Sequence, residues 1–263
     1  MAIGVITGSG TDALPGLEGG PAEKVATAWG EAAVTPGQLA GVEILHVSRH
    51  GPGHERLSNH VLFQANVAAL KARGARVVVG LTVCGAVDPG VELGTLIVFE
   101  DLHFPVNRLP GGEVCSFHLH PGDPERGHWI YDGPYAEPLR RVLVEGAHSA
   151  GGAVLDGGCY GHVDGPRFNT RAEIRSLALA GVTAVSQTGG PETVLCGEAE
   201  LPFALVGYAT DYANGVSETP TPMSTLTELM GRSTGVFAAL LEHALPRLRV
   251  EDIPASGMVY RFE

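Results

Sequence analysis

Arg49-His50-Gly51 stands where an apolar run, residues 42–47, gives out. Its chemistry is that of an oxyanion site, because a guanidinium fork matches the oxygens of a phosphate or carboxylate. The competing reading pairs Arg49 with one of the chain's many acids. Other apolar runs end in the same way. Residues 3–6 lead into Thr7-Gly8-Ser9-Gly10-Thr11-Asp12, a glycine-rich turn whose successive N–H groups form an anion nest, with the Ser9 hydroxyl as a further donor. Taken alone, such a turn is more often only a tight turn. Residues 76–81 close on Thr82-Val83-Cys84-Gly85-Ala86. Within residues 163–212, a Gly165-Pro166-Arg167-Phe168 turn precedes two further runs, which close on Gln187-Thr188-Gly189-Gly190 and on Thr210-Asp211. Each half read singly fits a core strand and an ordinary capped helix. Together they gather polar and ionisable groups at strand ends, and in an α/β sheet such ends share the edge where ligands bind. We read that edge as the floor of a small-molecule site.

The elements that must hold these groups alternate in type. Residues 58–73 have the apolar period of an amphipathic helix, with Val61, Ala65, Ala68 and Ala69 inward and His60 on its surface. Residues 93–99 read as a strand, 134–150 as a helix begun by proline, and 221–249 as a long helix with Leu226, Leu229, Val236, Leu240 and Leu241 on its stripe. The last 14 residues are expected to be a tail. Residues from 99 to about 135 are Pro- and Gly-rich and loop-like, a length that is usually functional or mobile in a compact domain. They hold His103, His118, His120 and His128, whose spacing matches no compact metal-ligand set, so no metal is expected. The fold expected is α/β: one domain over residues 1–263, a twisted mixed central sheet flanked by helices.

Composition narrows the partners. Hydrophobic residues make up 44% and charged ones 17% of 263, within the globular range. The formal charge of −12 lacks the basic footprint that nucleic acid and anionic membrane need. No apolar run approaches the roughly 20 residues of a membrane span. A strand follows Met1 directly, so a cleaved signal peptide is not expected. The four cysteines, Cys84, Cys115, Cys159 and Cys196, form no C-x-x-C pair and suggest reduced core residues, hence a cytoplasmic protein.

With these pieces in order, the chain resembles the trimeric purine nucleoside phosphorylase and methylthioadenosine phosphorylase family over residues 3 to about 212. Its carriers are Gly8-Ser9-Gly10, Arg49-His50-Gly51, Gln64-Ala65-Asn66 and Thr82-Val83-Cys84-Gly85. Gly165-Pro166-Arg167-Phe168, Thr188 with Pro191-Glu192, and Thr210-Asp211-Tyr212 complete the set. The resemblance implies the nucleoside phosphorylase fold and reversible phosphorolysis. Phosphate attacks C1′ of a nucleoside, releasing the base and ribose 1-phosphate or its 5-substituted analogue through an oxocarbenium-like transition state. It implies Asp211, Arg49 and His50 as catalytic residues, and Ser9, Arg49, His50, Thr82, the Val83 amide and Thr188 as the phosphate site. Cys84, Gly85, Phe168, Asn169, Gln187, Asp211, Ala213 and, across a loop, His128 would meet base and sugar. Phosphate is the co-substrate; no cofactor is implied. The assembly implied is a homotrimer, with a hexamer as the alternative.

Three residues depart from the family pattern. Gln187 stands for the methionine beneath the ribose, Asn169 for the glutamate of 6-oxopurine enzymes or the serine of methylthioadenosine enzymes, and Ala213 for a second acid near the base. The loop over residues 105–127 departs as well. Asp211 favours a 6-aminopurine nucleoside with an apolar 5′ group, such as 5′-methylthioadenosine; Asn169 and the missing acid favour a 6-oxopurine or modified nucleoside. A nucleoside hydrolase has no need of an oxyanion cradle, and a non-catalytic nucleoside-binding protein has no need of Asp211 together with Arg49.

Overall fold

The computed structural model describes residues 1–9, 11 and 13–262. Gly10 and Asp12 of the expected glycine-rich turn lie outside the described residues. The chain runs from β1 (Ala2–Thr7) through an antiparallel section, β2 (Glu18–Gly19), β3 (Glu23–Thr27) and β4 (Gly30–Leu39). β5 (Val42–Ser48), α1 (Phe63–Ala72) and β6 (Ala75–Ala86) follow, then β7 (Leu96–Val98), β8 (Asp101–His103) and β9 (Gly127–Ile130). Next come α2 (Glu137–Ser149), β10 (Val154–Asp156), β11 (Cys159–His162), α3 (Arg171–Leu179) and β12 (Val182–Ser186). α4 (Gly189–Glu198), β13 (Phe203–Tyr212), α5 (Met223–Ala244) and β14 (Met258–Arg261) complete it.

Among the described residues, twelve strands form one mixed sheet with the path β10-β7-β13-β6-β1-β5-β4-β2. Its centre, β13, β6, β1 and β5, is parallel. Alternation along these strands splits the core into two layers, as the pleat requires. Ile3 and Val5 of β1, Val77, Val79 and Leu81 of β6, and Val206 and Tyr208 of β13 face α2 and α5, meeting Leu139, Leu143, Phe237 and Leu240. Val78, Phe203 and Leu205 face the other way, toward Val67 and Leu70 of α1 and Leu195 of α4. Gly80 of β6 is required for this layer, because a Cβ there would lie 2.7 Å from the Phe203 ring.

Three expectations change. The helix expected over residues 58–73 is a single 3-10 turn, Ser58–His60, followed by extended Val61 and then α1, which starts only at Phe63. The long loop contains β8 and β9. The expected tail is paired: β14 lies antiparallel to β9, and the Trp129 indole N–H donates to the Ser256 carbonyl at 2.7 Å. Gly197 of α4 admits the Trp129 ring, since a Cβ would sit 2.2 Å from it. No described helix is long and apolar enough to cross a membrane. Cys84, Cys115 and Cys196 are buried thiols and Cys159 is half-buried, all of them free.

Candidate active site

The site forms where β6 outruns its neighbour. β1 pairs with β6 only as far as Ile6 opposite Gly80, whereas β6 continues to Ala86 along β13. Thr82 to Gly85 therefore rise past the end of β1. β12 crosses this exposed end antiparallel, with Val185 opposite Gly85, and returns Ser186 to within 2.9 Å of Thr82. A cavity of about 270 Å³ opens at this edge, near the small end of the range for small-molecule sites.

One end of the cavity is a cluster of neutral polar groups. It is lined by Ser9, Thr82, Val83, Ser186, Thr188 and His50. Thr188, which lines the cavity, is the residue immediately before α4. The Thr188 and Gly189 N–H groups donate to the Tyr160 hydroxyl at 3.4 and 2.9 Å. The His50 Nδ1 sits 2.8 Å from the Arg56 carbonyl, which only accepts, so this nitrogen carries the proton. Burial, reinforced by the nearby Arg49 charge, lowers His50 to about 4. It is therefore neutral near pH 7, with Nε2 left as an acceptor.

Arg49 does not line this cavity. Its side chain is fully buried on Glu192 of α4, Nε to Oε1 at 2.6 Å and Nη2 to Oε2 at 2.9 Å. Nη1 donates to the Leu81 carbonyl of β6 at 2.8 Å. The guanidinium lies directly under Gly8, where a Cβ would meet Nη1 at 2.2 Å. In this structure the fork expected to meet an anion is engaged within the protein. A bidentate carboxylate and a strand carbonyl hold the fork below the floor. The alternative of an acid partner holds, though at the centre of the protein rather than on its surface.

The other end carries Asp211. Register slips between Ala209 and Asp211 against β6, a bulge that inserts Thr210 and turns the end of β13 toward the cavity. The Thr210 hydroxyl donates to Asp211 Oδ1 at 2.9 Å. Burial raises the Asp211 carboxyl above its ordinary value, against that hydrogen bond. Gly85 leaves room beside it, since a Cβ there would lie 3.3 Å from Oδ2. Gln187 is fixed at both ends of its amide: Oε1 accepts from Ser58 at 2.8 Å and Nε2 donates to the Arg167 carbonyl at 3.2 Å. Gly165 makes that possible, as any Cβ would fall 2.0 Å from Gln187 Oε1. Apolar walls come from Leu57, Ile174, Leu226 and Met230, with Phe168 exposed at the rim.

The family model described as "Phosphorylase superfamily" matches residues 2–246. The chain belongs to the phosphorylase superfamily. A 6-oxopurine nucleoside phosphorylase of Pyrococcus furiosus is 29% identical over 95% of this chain and 94% of its own. An S-methyl-5′-thioadenosine phosphorylase of Bradyrhizobium diazoefficiens is 32% identical over 80% of this chain and 70% of its own. The fold matches a methylthioadenosine phosphorylase of Schistosoma mansoni, solved in complex with adenine, at a TM-score of 0.85 and 24% identity, covering 96% of this chain and 93% of that one.

In this member of the phosphorylase superfamily the cavity brings together Ser9, His50, Thr82, Val83, Cys84, Gly85, Phe168, Asn169, Gln187, Thr188, Asp211 and Ala213. His128, expected to meet base and sugar, is not among the lining residues. It lies on β9, opposite Tyr260 of β14, with its ring edge-on to Phe262 at 5.4 Å. Sequence reading missed Ser58, Ser186, Leu226, Met230 and the buried Tyr160. Ser186 was visible as the last residue of an apolar run before Gln187. Leu226 and Met230, one turn apart, look like ordinary core positions until α5 is seen to pass the cavity mouth.

Proposed function

We propose that this chain cleaves a purine nucleoside by phosphorolysis, as a pentosyltransferase with inorganic phosphate as co-substrate and no further cofactor. The observation that carries the reading is one cavity holding a neutral polar cradle at one end and a half-buried carboxyl with raised proton affinity at the other. Phosphate lies on the hydroxyls of Ser9, Thr82 and Thr188 and the Val83 amide. One of its oxygens bonds to C1′ as the glycosidic bond breaks. The electron pair goes to the base, and Asp211 meets that charge by a hydrogen bond or proton at N7. His50 Nε2 accepts from a sugar hydroxyl or from a protonated phosphate oxygen.

The preferred substrate is a 6-aminopurine nucleoside with an apolar 5′ substituent, of which 5′-methylthioadenosine is the example. Asp211 accepts from a 6-amino group, and Leu226 and Met230 offer an apolar wall to the 5′ end. The second reading is a 6-oxopurine nucleoside. It is favoured by Asn169 at the rim, whose main-chain carbonyl accepts from the Asn214 side chain at 2.7 Å, and by the likeness to the Pyrococcus furiosus relative over 95% of this chain. A homotrimer is the proposed assembly and the cytoplasm its place; exposed Val106, Val114 and Leu119 supply apolar surface for subunit contacts. The test is a panel of nucleosides, each with and without phosphate. Phosphate-dependent release of adenine from 5′-methylthioadenosine, faster than hypoxanthine from inosine, is expected. Inosine or guanosine turning over at least as fast reverses the base preference, and equal rates without phosphate overturn phosphorolysis.

A further inference from the structure

Gln187 follows the last residue of β12, and its side-chain amide reaches two cavity walls that come from different parts of the chain. One wall is the stretch after β5 that carries Leu57 and Ser58; the other is the turn after β11 that carries Pro166 and Phe168. The Arg167 carbonyl can only accept, so the end of the amide facing it at 3.2 Å is Nε2. Oε1 is thereby left to accept the Ser58 proton at 2.8 Å. Gly165 lets the three groups meet, because a Cβ there would fall 2.0 Å from Gln187 Oε1 and 2.1 Å from Ser58 Oγ. The turn is also fixed to its surroundings by Arg167 Nη2 on Glu173 of α3 at 2.8 Å and by the Asn169 carbonyl on Asn214. The Gln187 amide joins it to the Ser58 stretch.

We propose that Gln187 is a positioning residue whose amide clasps the two walls between which the nucleoside lies, and is not itself a ligand of the sugar. The inference rests on the reading that a purine nucleoside occupies this cavity. Phe168 is 63% exposed, so packing does little to place its ring; the backbone beside it, held at the Arg167 carbonyl, does that instead. Ser58 is buried, and its hydroxyl would lose its acceptor if the amide were removed. A wall left free must be ordered when the nucleoside binds, and that cost appears in the nucleoside KM. Phosphate, held on Ser9, Thr82 and Thr188, does not bear it.

The test is steady-state kinetics of Gln187→Met, Ser58→Ala and the two combined, varied in phosphate and in nucleoside separately. The nucleosides are the better substrate of adenosine and inosine and its 2′-deoxy counterpart. Ser58→Ala is expected to raise the nucleoside KM about five- to tenfold, the worth of one hydrogen bond, and Gln187→Met at least as much. The phosphate KM is expected to stay within about twofold in both. The combined variant is expected to be no worse than Gln187→Met alone, because both substitutions open the same clasp. The ratio of ribo- to 2′-deoxynucleoside kcat/KM is expected to stay within about twofold of wild type. Should Gln187→Met fail to fold, Ser58→Ala decides alone. A nucleoside KM unmoved by Ser58→Ala overturns the clasp, as does an equal rise in both KM values. So does a ribo-to-deoxy ratio that falls in Gln187→Met and not in Ser58→Ala, which would make the amide a sugar ligand. Failure of the underlying reading looks different: the wild-type protein would then show no phosphate-dependent base release.

Discussion

Arg49 and Glu192 form the most buried charge pair among the described residues. Burial pushes the Glu192 carboxyl up, and the guanidinium pulls it back. Each partner is tolerable at the centre of the protein only because the other is present. Glu192→Ala should therefore destabilise the fold by about 3–5 kcal/mol, the cost of an unpaired buried charge. Joint replacement, Arg49→Met with Glu192→Leu, should recover most of that loss in urea denaturation. It should not recover phosphate affinity, because the fork also holds the Leu81 carbonyl immediately before Thr82 and fills the space under Gly8. A double variant with a normal phosphate KM would mean that the pair serves stability alone. At the other end, Asp211→Asn keeps the shape but can no longer supply a proton. A fall in kcat of about 10²-fold with 6-aminopurine nucleosides is expected, in line with the loss of one acid–base group. The ratio of inosine to 5′-methylthioadenosine kcat/KM should rise, since an amide donates to a 6-oxo group.

Strands and helices that carry the site were legible because each is a short apolar run with its chemistry at one end. Residues 76–81 lie in β6, the Gly8 and Arg49 turns follow the ends of β1 and β5, and Thr82 and Asp211 stand toward the ends of β6 and β13. What was not legible is what depends on contacts distant in sequence. Nothing in Arg49-His50-Gly51 says that the guanidinium will find Glu192, 143 residues on, before it finds an anion. Nothing in Gly127 to Ile130 announces pairing with residues 258–261. That pairing draws His128 out to the β9–β14 ribbon, whereas α5 brings Leu226 and Met230 to the cavity. The two elements make opposed predictions. His128→Ala should leave kcat and both KM values within about twofold of wild type, the ordinary result for a site remote from substrate. Met230→Ala should raise the KM for 5′-methylthioadenosine about tenfold, as expected for loss of an apolar contact worth 1–3 kcal/mol, and affect adenosine less. A kinetic defect in His128→Ala confined to substrates with a 5′ thioether would return that residue to the 5′ pocket, reached from a neighbouring subunit.

At the scale of the whole molecule, the active edge is also where acid should act first. Three buried histidines sit along it: His46 under the Gly8 turn, His50 after β5, and His162 at the end of β11 against Gly190. The Thr7 hydroxyl spends its proton on the Thr11 carbonyl at 2.7 Å, so His46 Nε2 donates to Thr7 at 2.8 Å and the ring is neutral. Burial lowers His46 and His50 to about 4, helped in each by the Arg49 charge, and lowers His162 to about 3 by burial alone. Each value lies below that of an unfolded histidine. The unfolded chain thus binds protons that the native one refuses, and this stability is full above pH 6.5 and drains as pH falls toward 4. Burial raises Asp211, Glu192 and Glu198 and acts in the opposite sense, so the total slope mixes both. A single substitution separates them. His162→Asn removes one refused proton, and its Nδ1 has no hydrogen-bond partner among the described residues to lose. Between pH 6 and pH 4.5 its urea-derived stability should fall less steeply than wild type by about 1.4 kcal/mol per pH unit, one proton's worth. Parallel curves for the two proteins would mean that His162 is protonated in the folded state and that the edge of the sheet is wetter than its packing implies.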